Sequence, residues 1–347
     1  MGVMYSRLLL ALGLVWLAAV PASAQEAGPA IAVGDLPGWQ ADTVEEALPA
    51  LRRSCAQWAT LPGETMLGGG WRVLDWAAAC QALLALPSPP DPAALRRLLA
   101  VHLEARDHGT GTLTGYFEPV LRGSLQPGQP YSVPLLALPA EPGPHPSRAA
   151  IEAGALAGRG LELVWVDDAV DAFFLHIQGS GRVVLDDGRV LRLGYAGQNG
   201  QPYFAIGRLL IQRGEIDRAA MSMQAIQAWL RRAGPAAAAE VMRANPSYIF
   251  FRVLDGLADE EGPPGTMGVG LTPLRSVAVD LAHVPLGAPV FLVSEGVGPR
   301  LVVAQDTGGA IRGRARADLF WGWGEEAGQR AGGLNQPARM FVLVPRT

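Results

Sequence analysis

The last quarter of the chain is cut into short apolar runs at roughly ten-residue spacing, and no other feature restricts its fold as strongly. Beyond the glycine- and proline-rich stretch GPPGTMGVGLTP (262–273) come SVAVD, PVFLV, RLVVAQDTG and ARMFVLVP. Each is the length of one strand, and evenly spaced short strands that must hide their edges point to a small β-barrel. The first hundred residues read differently. Residues 41–57 place Val44, Ala47, Leu48, Leu51 and Cys55 at helical spacing, DWAAACQALLAL (75–86) repeats the pattern, and Asp91-Pro92 opens a third helix with an N-cap acid and proline at its first position.

Between these parts the pattern is mixed. From residue 110, TGTLTGYFEPVLRGS reads as strand and GQPYSVPLLAL as a further extended piece. SRAAIEAGAL predicts a short helix. LELVWVDD, DAFFLHIQGSGRVVL and GRVLRLGYAG predict strands, with Asp187-Gly188 as a hairpin turn. Helices are expected near 202–214 and 222–243, and ANPSYIFFRVL as a strand. The expected class is mainly β with N-terminal helices, an α+β protein.

The N-terminus reads as a secretory signal. Arg7 precedes an apolar run over 8–20, and Ala22-Ser23-Ala24 is a small-x-small cleavage site. The run is short of the ~20 apolar residues a spanning helix needs. No cysteine stands at the cleavage point, which argues against a lipoprotein anchor. Residues 1–24 are therefore expected to be removed on export to the periplasm, leaving a chain that is soluble or peripherally associated with the outer membrane. In an oxidising compartment Cys55 and Cys80, the only cysteines, are expected to form a disulfide. A catalytic thiol is the alternative, although neither cysteine has a histidine near it.

Several chemistries are excluded or disfavoured. All 28 basic residues are arginine, so no lysine is available for a phosphate loop, a Schiff base or a Ser-Lys pair. A net charge of −4 offers no broad basic surface for nucleic acid. The five histidines show no metal-ligand spacing, and no cofactor or metal is expected. QGSGR (178–182) only partly matches a nucleophile elbow and is expected to be a tight turn between strands. The candidate acids lie in AQDTGGAIRGRARADLFWGWG (304–324). Asp306 ends an apolar strand, and Asp318 stands among Arg312, Arg314 and Arg316 and before aromatic residues that suit a sugar. Desolvation there can raise a carboxyl pKa enough for it to donate a proton. Both acids could equally cap turns or pair with the arginines.

The run QDTGGAIRG…ADLFWGWGEEAGQRAG resembles the three-aspartate (3D) domain of the membrane-bound lytic murein transglycosylase A family. LTGYFEPVL (113–121), FFLHIQGSGRV (173–183), YAGQNGQPYFAIGRLL (195–210), NPSYIFFR (245–252) and GVGLTPLRSVAVD (268–280) resemble other segments of that family, in the same order. The resemblance implies a double-psi β-barrel, residues 25–117 plus 258–347, with a second β-rich domain inserted at 118–257 and a glycan groove between them. It implies a lyase that cuts the β-1,4 bond between N-acetylmuramic acid and N-acetylglucosamine without water, leaving a 1,6-anhydro end. Because the nucleophile is part of the substrate, one carboxyl suffices as acid and then base. That residue matches Asp318, with Asp306 in support and Asp280 as the third aspartate. Thr114, Tyr116, Glu118, Gln178, Ser180 and Gly181 are candidate groove contacts, and Trp321 and Trp323 candidate stacking rings. The implied partners are peptidoglycan glycan strands, with cell-wall synthesis or division proteins as candidates, and the chain is expected to be monomeric. The rival expectations are a barwin-like hydrolase using both Asp318 and Asp306, and a non-catalytic glycan-binding scaffold.

Overall fold

The computed structural model describes residues 29–257 and 261–346. The expected signal peptide, residues 1–24, and the expected domain limit at 258 lie outside the described residues. Strand β1 (Ala30–Ala32) leads through short 3-10 turns to helix α1 (Leu48–Trp58), a small hairpin of β2 (Met66–Gly68) and β3 (Trp71–Arg72), and helices α2 (Ala77–Ala85) and α3 (Pro92–His102). The first helix begins later than its spacing predicts. Residues 44–47 form a 3-10 turn, and Pro49 lies in the first turn of α1. At α3 the Asp91 carboxylate accepts the Ala93 N–H at 3.0 Å, the cap expected of Asp-Pro.

Next come β4 (Leu103–Glu118), β5 (Val120–Ser124), β6 (Val133–Leu136), α4 (Arg148–Glu152), β7 (Glu162–Val166) and α5 (Ala169–Gln178). Then follow β8 (Gly181–Leu185), β9 (Val190–Gln198), α6 (Ile206–Gln212), α7 (Met223–Ala233), α8 (Pro235–Arg243) and β10 (Ile249–Val253). The last elements are β11 (Ser276–Val279), β12 (Pro289–Val293), β13 (Arg300–Asp306), β14 (Ala317–Trp323), α9 (Gly324–Gly333) and β15 (Asn335–Pro345).

Three elements depart from the sequence pattern. DAFFLHIQ is the helix α5 and not a strand. Asp168 caps it by accepting the Val170 and Asp171 N–H groups, and Gly179 stops it at φ +81°. Its run of buried residues, Val170 and Ala172–His176, packs against sheet and helices at once, so no period marks it as helix. QGSG is therefore a helix end leading into a strand. Strand β4 starts at Leu103, inside the third helix expected over DPAALRRLLAVHLEA (91–105), because pairing with β1 and β15 draws LEAR into the sheet. The 222–243 helix is two helices, broken at Gly234-Pro235. The Asp187-Gly188 turn joins antiparallel β8 and β9 as expected.

One sheet runs β4-β14-β11-β13-β12-β15, and β15 pairs back with β4 to close a six-stranded double-psi barrel; β1 adds to the edge of β4. β4 and β14 are parallel, as are β11 and β13. The second sheet, β10-β9-β8-β5-β7-β6, is nearly closed by a bridge between Ala137 and Phe251. All its strands lie between Val120 and Val253, within the sequence that separates β4 from the rest of the barrel. Leu113, Val277, Val290, Val302, Ala304 and Leu319 fill the barrel and are fully buried.

The N-terminal helices cover the barrel and are tied to it by a buried arginine. Arg275 Nη1 donates to both Asp42 oxygens, at 2.9 and 3.1 Å, and to the Leu301 carbonyl at 2.9 Å, while Nη2 reaches Glu46 at 2.8 Å. Cys55 of α1 and Cys80 of α2 are disulfide-bonded, 25 residues apart in sequence. Closing a loop of that size restricts the unfolded chain, so replacing both cysteines with alanine should lower stability by about 3 kcal/mol. Urea denaturation without reductant measures this, and an unchanged midpoint would contradict it.

Candidate active site

Strand register assembles the site. Thr114 of β4 lies opposite Asp318 of β14, Asp318 opposite Ala278 of β11, and Ala278 opposite Asp306 of β13. Residues paired in this way show their side chains on one face, and the neighbouring Leu113, Val277 and Leu319 point into the barrel core. The row therefore lies on the outer surface of the barrel. One strand separates the two aspartates, so their backbones are about 10 Å apart. Ala278 fills little of the space between them.

The two carboxyls have different surroundings. Asp318 is half-buried, and its Oδ1 accepts the Thr114 hydroxyl at 2.5 Å. Arg316 Nη2 donates to that same hydroxyl oxygen at 2.8 Å, which directs the threonine proton to Asp318. Among the described residues no group hydrogen-bonds Asp318 Oδ2. Burial pushes the Asp318 carboxyl up to about 6; the Thr114 hydrogen bond and the Arg316 charge oppose this, and the Asp306 charge adds to it. Asp306 is saturated. Its Oδ1 accepts the Thr266 N–H at 2.9 Å, the Thr266 hydroxyl at 3.0 Å and the Thr307 N–H at 2.9 Å, and its Oδ2 accepts the Tyr116 hydroxyl at 2.9 Å. Burial raises this carboxyl too, against the pull of those donors. Burial, then the charge of Asp306, keeps the Tyr116 hydroxyl protonated well above its ordinary range.

The remaining sequence candidates are dispersed. Asp280, just past β11, accepts the Gly313 N–H at 2.8 Å and the Ala282 N–H at 3.2 Å, and so holds the loop between β13 and β14. Those bonds, Gly313 foremost, hold its carboxyl below the usual range. Glu118 is wholly buried between Arg182 Nε at 3.2 Å and Arg192 Nη2 at 3.4 Å, out of reach of any groove ligand in this conformation. Gln178 Oε1 accepts the Phe117 N–H at 3.0 Å and anchors the end of α5 to β4. Ser180 is buried, and a Cβ on Gly181 would come within 2.3 Å of Leu175, so Gly181 is needed for packing. Trp321 covers Gly115, and Trp323 carries the Arg182 guanidinium 4.0 Å from its ring centroid. Thr266 and Thr307 were not among the sequence candidates. Thr307 adjoins Asp306, but nothing in GPPGTMG shows that Thr266 crosses over to meet it. Among the described residues no cluster of His, Cys, Asp and Glu could hold a metal ion.

The barrel and its row of acids belong to a recognised class, since residues 275–344 match the family model described as the 3D domain. Residues 112–252 match the MltA specific insert domain. The chain is 35% identical over 267 residues to the membrane-bound lytic murein transglycosylase A of Vibrio cholerae, covering 73% of this chain and 71% of that protein. The crystal structure of the membrane-bound lytic murein transglycosylase from Agrobacterium tumefaciens superposes with a TM-score of 0.82 at 30% identity, over 91% of this chain and 97% of that one. That of E. coli MltA with bound chitohexaose gives 0.70 at 28% identity, over 93% of each chain. The chain belongs to the membrane-bound lytic murein transglycosylase A family.

The Thr114 hydroxyl stabilises only the ionised form of Asp318, so its loss must raise the pKa. In Thr114→Val the Asp318 carboxyl should titrate about 1–2 units higher, the worth of one hydrogen bond to a charged group. Carbon-13 NMR of labelled aspartate measures it; a lower or unchanged pKa would refute the assignment.

Proposed function

We propose that the protein is a lytic transglycosylase that cuts the β-1,4 bond between N-acetylmuramic acid and N-acetylglucosamine in peptidoglycan, with Asp318 as its single acid and base. The observation that carries this is the contrast between the two acids. Asp318 has a free oxygen and a pKa of about 6, whereas every oxygen of Asp306 is engaged by donors. Asp318 first gives its proton to the glycosidic oxygen as the C1–O bond breaks. Its carboxylate then takes the proton of the C6 hydroxyl as that oxygen closes on C1. The product is a 1,6-anhydro ring, Asp318 is protonated again, and no water is consumed. The tethered hydroxyl supplies the effective concentration that a hydrolase must obtain by activating water. Asp306 holds Tyr116 and the Thr266 segment beside the site. Its four donors oppose the alternative in which it acts as the base for a water.

The bound chitohexaose of the E. coli relative supports a glycan strand as the ligand. The strand would lie between the barrel unit, residues 25–117 and 258–347, and the inserted unit, 118–257. The relatives are named membrane-bound, and among the described residues no helix is long and apolar enough to cross a membrane. The signal-like N-terminus supports a periplasmic location from residue 25 onward.

Asp318→Asn should retain the fold and sacculus binding and lose roughly 10²–10⁴ in turnover or more. Mass spectrometry of muropeptides released from sacculi should show products lighter by one water than those of hydrolysis, absent with the variant. Reducing-end products would refute the transglycosylase chemistry. The first step needs protonated Asp318, so kcat/KM should fall as pH rises through about 6. A profile rising through that range would contradict the acid role.

A further inference from the structure

A cavity of about 360 Å³ opens in the inserted unit, lined by residues of β6, α4, α5 and α8 and by none of the active-site row. Its walls are apolar, with Ile151, Leu156 and Met242 among them, and three buried polar side chains form part of the lining. Tyr248 is 4% exposed, and its hydroxyl has no hydrogen-bond partner among the described residues. His176 accepts the Ile249 N–H through Nδ1 at 3.2 Å, so Nε2 carries the proton, again with no acceptor among the described residues. Arg148, 2% exposed, stacks over the Phe173 and Tyr248 rings at 4.7 and 5.2 Å. Its Nη2 donates to the Ser247 carbonyl at 2.9 Å and its Nη1 stands 3.6 Å from Glu152, but its Nε has no acceptor. The His176 and Tyr248 rings lie 4.2 Å apart, so the three groups are neighbours.

Arg148 Nε is a wholly buried donor without an acceptor, which is costly, whereas the Tyr248 hydroxyl and His176 Nε2–H lack acceptors but keep accessible surface, where an incoming group can meet them. Of the two acids in the lining, Glu152 is held by Arg148 at 3.6 Å and Arg243 at 2.8 Å, while Glu162 has no ion pair among the described residues; the lining donors without an acceptor are the Tyr248 hydroxyl and the His176 Nε2–H. A ligand that fits must bring several acceptor lone pairs on one end and an apolar body on the other. At ~30 Å³ for each water-sized group, the cavity takes about a dozen non-hydrogen atoms. We propose that this cavity is a second binding site, for a small amphiphilic monocarboxylate whose head meets Tyr248, His176 and Arg148.

The inference is independent of the peptidoglycan chemistry, and its test is binding alone. Decanoate, kept below its micellar range, is titrated calorimetrically into the chain from residue 25, with decanol as the neutral comparator. Saturable binding of one decanoate per chain is expected, with decanol at least tenfold weaker. Tyr248→Phe removes one donor and should weaken decanoate about tenfold or more. Ala239→Phe places a ring at a half-buried lining position of α8 and should abolish binding. Thermal melting checks that both variants are folded. Absence of saturable binding by the parent, equal binding by parent and both variants, or decanol binding as tightly as decanoate would each overturn the proposal.

Discussion

The pairing of β15 with β4 closes the barrel, and the geometry of the site depends on it. Residues from Leu103 to Thr114 run antiparallel to Asn335–Pro345, so the last strand is bound to one from the first third of the chain. The other edge of β4 is taken by β14 in parallel, and that pairing sets Thr114 beside Asp318. A shift of one residue would turn Thr114 and Tyr116 into the barrel and Leu113 out to water. Close packing around the strand guards against such a slip. A Cβ on Gly115 would lie 2.6 Å from Trp321 Nε1 and 2.8 Å from Ala331 Cα, and one on Gly111 only 1.9 Å from the Ala315 carbonyl oxygen.

The row of side chains across those strands separates two acids that the composition alone would not distinguish. Asp306 is half-buried among four donors, and what it gains from them opposes the cost of burial. Asp318 is given a single donor, aimed at it by Arg316, and carries most of that cost as a raised pKa. Of these two carboxyls, only Asp318 keeps an oxygen that no donor among the described residues engages. The small side chain of Ala278 between them keeps the acids close enough to influence one another without sharing a proton.

Some of this was legible in the sequence. The acids, their glycine-rich surroundings and the short-strand rhythm of the barrel are local features, and they marked both the region and its fold class. What stayed hidden was long-range. The donors on Asp306 come from Tyr116, Thr266 and Thr307, two of them distant in sequence and joined only by the crossing of strands. Glu118 was expected to contact the groove because its neighbours Arg182 and Arg192 lie more than sixty residues away and nothing local shows that they bury it. Helix α5 was obscured because burial on nearly every side erases the period that separates helix from strand. The start of β4 was misplaced because pairing partners outweigh the local helical preference of Leu103–Arg106.

The buried Glu118 has a wider meaning. The chain leaves the barrel at Glu118 and returns by Glu261, and the same two arginines hold both points. Arg182 and Arg192 approach the Glu118 carboxylate, and each also donates to the Glu261 carbonyl, at 3.0 and 2.7 Å. The inserted unit therefore begins and ends at a single place on the barrel surface. A segment anchored in this way can be gained, lost or exchanged in evolution as one piece, since a barrel without it would have only a short gap to bridge. The arginines that fasten the two ends belong to the inserted unit itself, so the insert carries its own attachment to its host.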